Sequence, residues 1–135
     1  MVEIKIAYQG SLRCAATHGP SGTSIFTDAP VDNHGKGESF SPTDLVATAL
    51  GSCMLTIMGI AAQKHQIDLS GATVTVQKEM VAQPVRRIGK LSVHFKIPAK
   101  LSPEQKQMLE NAAKTCPVHK SVHPEIEMPL TFEWG

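Results

Sequence analysis

The sequence predicts an α+β fold of one domain, with strands grouped rather than alternating one-to-one with helices. Three observations carry this prediction. Apolar residues recur with period two near both ends and in the middle of the chain, and two segments carry helix-start signals. The order they imply is β-β-β-α-β-β-α-β, which favours α+β over a doubly wound sheet.

Val2, Ile4, Ile6 and Tyr8 are apolar at alternate positions with Glu3 and Lys5 between them, the pattern of a half-buried strand. Gly10 marks a turn, and residues 12–17 can pair back as a second strand. THGPSGTS (17–24) is turn chemistry, followed by a short third strand through Ile25 and Phe26. Residues 29–40, APVDNHGKGESF, form a polar, glycine-containing stretch long enough to be a functional loop.

A helix start follows. Ser41 is placed to cap, Pro42 suits the first helical position, and Asp44 lies three residues after the cap. The helix is predicted from about Pro42 to His65, with Lys64 and His65 at its negative end. Its run from Leu45 to Ala62 is apolar nearly all round, as in a buried core helix. Thr48, Gly51, Ser52, Thr56 and Gly59 argue against a membrane span, and no second such segment exists.

Ala72, Val74 and Val76 alternate with polar residues, as do Leu91, Val93, Phe95 and Ile97, and AQPVRRIGK connects them as a hairpin. LSPEQKQMLENAAKTC (101–116) repeats the helix-start grammar with Ser102, Pro103 and Gln105. It places Met108, Leu109, Ala112, Ala113 and Cys116 on one face. Ile126, Met128, Leu130, Phe132 and Trp134 then alternate as a last strand, which Pro129 makes an edge or irregular one.

The totals narrow the function classes. At 135 residues the chain is read as one domain, 1–135, able to bury a sizeable core. The net charge is +1, the basic residues are scattered and aromatics are only 4%, so neither a nucleic acid nor an anionic membrane is an expected partner. The N-terminal MVEIKIAYQG alternates and does not read as a signal peptide. Three cysteines without a dense framework fit a reducing cytoplasm, which is the expected location.

The chemistry-bearing candidates are the thiols. Cys53 sits in SCMLTIMGIAA, where a thiol is either inert packing or a nucleophile in a dry pocket. With Cys116 on a second core-facing segment, the pair could serve packing, metal binding or redox exchange. Cys116 either closes its helix or caps the turn beginning CPVHKSV, and in a capping position backbone N–H groups favour its thiolate. Cys53, mid-helix among apolar neighbours, needs a cation from elsewhere to react. Cys116, His119 and His123 have the spacing C-x2-H-x3-H, but Pro117, Pro124 and the lack of a second cluster count against a metal site. Cys14 alternates with Leu12 and Ala16 and reads as a small core residue. No signature of a cysteine hydrolase surrounds Cys53.

ESFSPTDLVATALGSCMLTIMGIAA, followed by the distant CPVHKSV and a closing strand, resembles the OsmC/Ohr family of thiol-dependent hydroperoxide reductases. The resemblance runs from YQGSLR to MPLTFEW. It implies an intertwined homodimer around the long central helix, with active sites at the subunit interface. It matches Cys53 to the peroxidatic thiol, Cys116 to the resolving one and Arg13 to the family's arginine. The chemistry implied is attack of the Cys53 thiolate on a peroxide, a sulfenic acid, and a Cys53–Cys116 disulfide. An external dithiol then reduces the disulfide, lipoyl-bearing proteins serving some members, and no bound cofactor or metal is expected. An apolar pocket would favour organic hydroperoxides.

One departure stands out. Many active members carry P-E-[EQ]-L at the helix start, their glutamate holding the arginine. Here the tetrapeptide is Pro42-Thr43-Asp44-Leu45, with Thr43 in the glutamate's place. Glu38, in the preceding loop, is the candidate substitute, and Asp44 a lesser one because the cap needs it. The competing reading is a non-enzymatic dimer that binds a small apolar or thiol-reactive molecule in its interface cavity. Disulfide reach between the thiols and a carboxylate on Arg13 discriminate between the two.

Overall fold

A computed structural model describes residues 1–135, which form two compact units, residues 1–46 and 47–135. In the first unit, β1 (Ile4–Gly10), β2 (Arg13–His18) and β3 (Ser24–Asp28) form an antiparallel sheet in that order. Gly10, Ser11 and Leu12 all adopt positive φ (88°, 54° and 61°), so the reversal between β1 and β2 is tight. The register sets Tyr8 opposite Cys14, Ile6 opposite Ala16, and Arg13 opposite Asp28.

The strand pattern of β1 is as expected, but its burial is not. Ile4, Ile6 and Tyr8 are 56%, 67% and 66% exposed, and Ile25 on the same sheet face is 46% exposed. Period-two patterning records which side chains avoid water. It does not say that the same chain covers them. Cys14 lies half-buried on this face rather than in a core.

The segment 29–40 contains a single 3-10 turn, Val31–Asn33. His34 then takes φ 66°, and Gly35 passes so close to Ala29 that a Cβ there would lie 1.7 Å from the Ala29 carbonyl oxygen. Only glycine fits this return. Backbone bonds from Gly35 to Pro30 (2.9 Å) and from Gly37 to Ala29 (3.2 Å) close the loop.

The helix α1 (Pro42–Lys64) begins as its sequence predicts. Ser41 Oγ accepts from the Asp44 N–H at 3.1 Å, and the Asp44 carboxylate accepts from the Ser41 N–H at 2.9 Å. This reciprocal cap commits Asp44 to the helix start. Ala47, Leu50, Gly51, Met54, Met58 and Ala62 are buried at three- and four-residue spacing. The opposite side, Thr48, Ala49, Ser52, Thr56 and Ile60, is exposed within one chain. By length and composition α1 could cross a membrane, with a window of mean hydropathy 2.0, but its buried stripe is that of a core helix.

In the second unit β4 (Thr73–Val81) pairs antiparallel with β5 (Arg87–Ile97), and β5 pairs parallel with β6 (Leu130–Trp134). The hairpin strands run farther than their apolar alternation, through Lys78–Val81 and Arg87–Lys90, across a bulge at Glu79/Met80. The last strand starts later than predicted. Pro129 has no N–H to donate, although its carbonyl accepts from Val93, and Glu127 joins Lys90 through an isolated bridge. β6 is the expected edge strand.

Central β5 supplies Leu91, Val93, Phe95 and Ile97 to a core completed by Leu50, Met54, Met58 and Leu109. α1 approaches β4 at Gly51, where an added Cβ would lie 2.7 Å from Val76 Cγ2. Gly51→Ala should therefore overpack the contact by about 1–3 kcal/mol, offset in part by a helix-propensity gain of about 1 kcal/mol. A lowered urea midpoint is expected, and a raised one would show that propensity outweighs the contact.

Helix α2 (Pro103–Ala113) carries a full capping box between Ser102 and Gln105, and α3 (Pro117–Ser121) follows after a short break. Leu109 and Ala113 are wholly buried, while Met108 and Ala112 are partly so, as the predicted face requires.

Candidate thiol site and arginine–aspartate pair

The break between α2 and α3 is local chemistry. Pro117 cannot continue the α2 hydrogen-bond ladder but suits the first position of a new helix. The N–H groups of Thr115 and Cys116 close the last turn on Ala112 and Ala113. Cys116, with φ −53° and ψ 127°, then caps α3, its Sγ accepting from the His119 N–H at 3.4 Å. Of the two roles open to Cys116, the structure shows the second.

Cys116 is fully buried, and its thiol shares a hydrogen bond with Cys53 from the middle of α1. Burial, then the bond to Cys53, raise the Cys116 pKa above the ordinary thiol value, and the N–H groups of His119 and Val118 oppose this. Cys116 is thus held as a neutral thiol beside Cys53. Both are free. Two cysteines 63 positions apart in the chain are thus brought together, Cys116 buried and Cys53 half-buried.

The C-x2-H-x3-H spacing does not assemble into a cluster of metal ligands. Cys116 Sγ is engaged as described, and His123 Nδ1 accepts from the Glu125 N–H at 3.1 Å. His119 Nδ1 is buried without a hydrogen-bond partner.

In the first unit Arg13 meets two carboxylates, Asp28 closely and the expected Glu38 at the limit of ion-pair distance. Its Nε donates to Asp28 Oδ1 at 2.6 Å and its Nη2 to Oδ2 at 2.8 Å. Asp28 is 1% exposed. Glu38, the residue expected to hold the arginine, stands 3.9 Å from Nη2 with its side chain 64% exposed. It also gives its backbone N–H, which donates to Asp28 Oδ2 at 3.2 Å. Asp28 closes a strand 15 residues from Arg13, a separation that no sequence pattern links; aligning β2 with β3 places the two directly opposite.

The hydrogen bonds from Arg13 hold the Asp28 carboxyl below its ordinary value against the opposing effect of burial. A lowered folded-state pKa stabilises the fold above the unfolded carboxylate value, about 3.9, and that contribution is lost as pH falls through the lower folded value. Melting temperature should therefore fall below about pH 4, and Asp28→Asn should flatten that acid slope. Equal slopes in the two proteins would contradict this.

Comparison with known proteins supplies the lineage. The model of the OsmC-like protein family matches residues 35–131. No curated protein matches the sequence. A crystal structure from Psychrobacter arcticus 273-4, described provisionally as an osmotic stress induced and detoxification response protein, is 47% identical. It superposes with a TM-score of 0.93 over 98% of this chain and 96% of that one. An organic hydroperoxide resistance protein OsmC from Legionella pneumophila is 16% identical, with a TM-score of 0.80 over 98% and 96% of the two chains. An organic hydroperoxide resistance protein from Elizabethkingia anophelis, 17% identical, gives 0.79 over 100% and 96%. At those two identities the likeness is one of fold.

Proposed function

Since this chain belongs to the OsmC-like protein family, we propose that it is a two-cysteine peroxidase that reduces organic hydroperoxides. The observation that carries the reading is the pair of free thiols, half-buried Cys53 hydrogen-bonded to buried Cys116. Structural relatives named for organic hydroperoxide resistance support the substrate class.

In the proposed cycle the Cys53 thiolate attacks the terminal peroxide oxygen. An S–O bond forms, the O–O bond breaks, and the alkoxide leaves with a proton as the alcohol. Cys116 then attacks the sulfenic sulfur, forming the disulfide and releasing water after its proton passes to the leaving hydroxide. An external dithiol, of the lipoyl type, returns both thiols by exchange. Its two electrons balance the peroxide's reduction to alcohol and water, so no bound cofactor or metal is required. Arg13, matched to the family's arginine by resemblance, is the cation proposed to balance the negative charge of the reacting groups.

The proposed working form is a cytoplasmic homodimer. The exposed face of Ile4, Ile6, Tyr8 and Ile25 supports it, because an apolar sheet face of this kind marks a covered surface. Sedimentation should give a dimer, and a stable monomer would contradict it. The functional test is consumption of cumene hydroperoxide with dihydrolipoamide as donor. Turnover faster than with hydrogen peroxide is expected, and no consumption of either would refute the reading.

A further inference from the structure

An arginine that acts on a thiolate or peroxide must be held in one pose, because a free side chain of this length loses much rotamer entropy on being fixed. The carboxylate that fixes Arg13 is set by the sheet itself. Asp28 is the cross-strand partner of Arg13, so its position follows from the β2–β3 register and not from a loop side chain. Both of its oxygens bond the guanidinium, through Nε and Nη2. The remaining acceptor capacity is turned toward the 29–40 segment, where the N–H groups of Glu38 and Ser39 bond the carboxylate. The same strand end is pinned on its backbone side, with Asp28 N–H to Phe40 at 3.1 Å and Ala29 N–H to Leu12 at 3.1 Å.

Glu38 has none of these supports. It lies at the edge of ion-pair distance and is mostly exposed, where such pairs contribute little. Of the guanidinium's five N–H donors, Asp28 takes one on Nε and one on Nη2. That leaves Nη1 and the second Nη2 hydrogen for another partner. The carboxylate therefore decides which edge the arginine presents.

We infer that Asp28 is the positioning residue of the proposed peroxidase, acting through Arg13 in place of the glutamate absent at Thr43, and that the Glu38 side chain is dispensable. This rests on the peroxidase reading above. The test is the rate of the first oxidation of Cys53 by cumene hydroperoxide in wild type, Asp28→Asn, Glu38→Gln, Arg13→Ala and the Arg13→Ala/Asp28→Asn double variant, with folding followed by urea titration. Asp28→Asn should slow this step by about 10- to 100-fold, the scale of a misplaced catalytic group. Glu38→Gln should stay within about twofold. The double variant should be no slower than Arg13→Ala, because a residue acting only through Arg13 has nothing left to act on.

Wild-type speed in Asp28→Asn, or losses that multiply in the double variant, would overturn the inference while leaving the peroxidase reading intact. A wild type that is not oxidised at all would remove both. Should Asp28→Asn fail to fold, Asp28→Glu keeps the charge but moves it by one methylene. A folded, slowed Asp28→Glu supports the assignment, and full speed overturns it.

Discussion

Cys53→Ser is expected to abolish peroxide turnover while leaving the fold intact, whereas Cys116→Ser is expected to permit one oxidation and then stop. Serine is nearly isosteric with cysteine, but its hydroxyl does not ionise near neutral pH and is a poor nucleophile toward peroxide oxygen. Cys116→Ser keeps the attacking sulfur and removes the one that resolves it. Cys53 should then accumulate as a sulfenic acid, open to over-oxidation. The hydrogen bond between the two thiols is what makes the outcomes differ. Dimedone labelling of Cys53 in Cys116→Ser, absent in Cys53→Ser, is the expected signature. Equal turnover in wild type and Cys53→Ser would contradict the assignment.

Phe95→Ala is expected to cost about 3–5 kcal/mol of folding free energy, the scale for deleting a buried aromatic. Phe95 is fully buried on the central strand β5 and stacks on Phe132 of β6, with centroids 4.7 Å apart and planes 6° from parallel. Its loss opens a cavity between the strands that hold β6 in place. Domains of this size are stable by about 5–15 kcal/mol, so this single change removes a large part of the margin. The urea midpoint should drop sharply with the slope unchanged. A loss below about 1 kcal/mol would mean that the site collapses around the missing ring.

Much of this was legible in the chain because the signals are local. Ser41, Pro42 and Asp44 announce α1, and Ser102, Pro103 and Gln105 announce α2, since caps are satisfied within four residues. Other features depend on partners remote in sequence. Whether Cys116 ends α2 or caps α3 was open because Pro117 is compatible with both, and the His119 N–H decided it. The exposure of Ile4, Ile6 and Tyr8 lies beyond any periodicity argument. Asp28 was missed for a related reason. A carboxylate at a strand end looks like turn chemistry until the register sets it opposite Arg13. The proposed thiol pair, similarly, rested on resemblance in the sequence and acquires a physical basis only when α1 and the α2–α3 junction bring the two sulfurs together.

The measurement that tests the central claim most directly is the intact mass of the fully reduced protein after one equivalent of cumene hydroperoxide. The account predicts rapid loss of two hydrogens, with peptide mapping placing the new bond between Cys53 and Cys116. An unchanged mass after minutes of exposure would contradict it and leave the paired thiols as packing in a protein that binds rather than reduces.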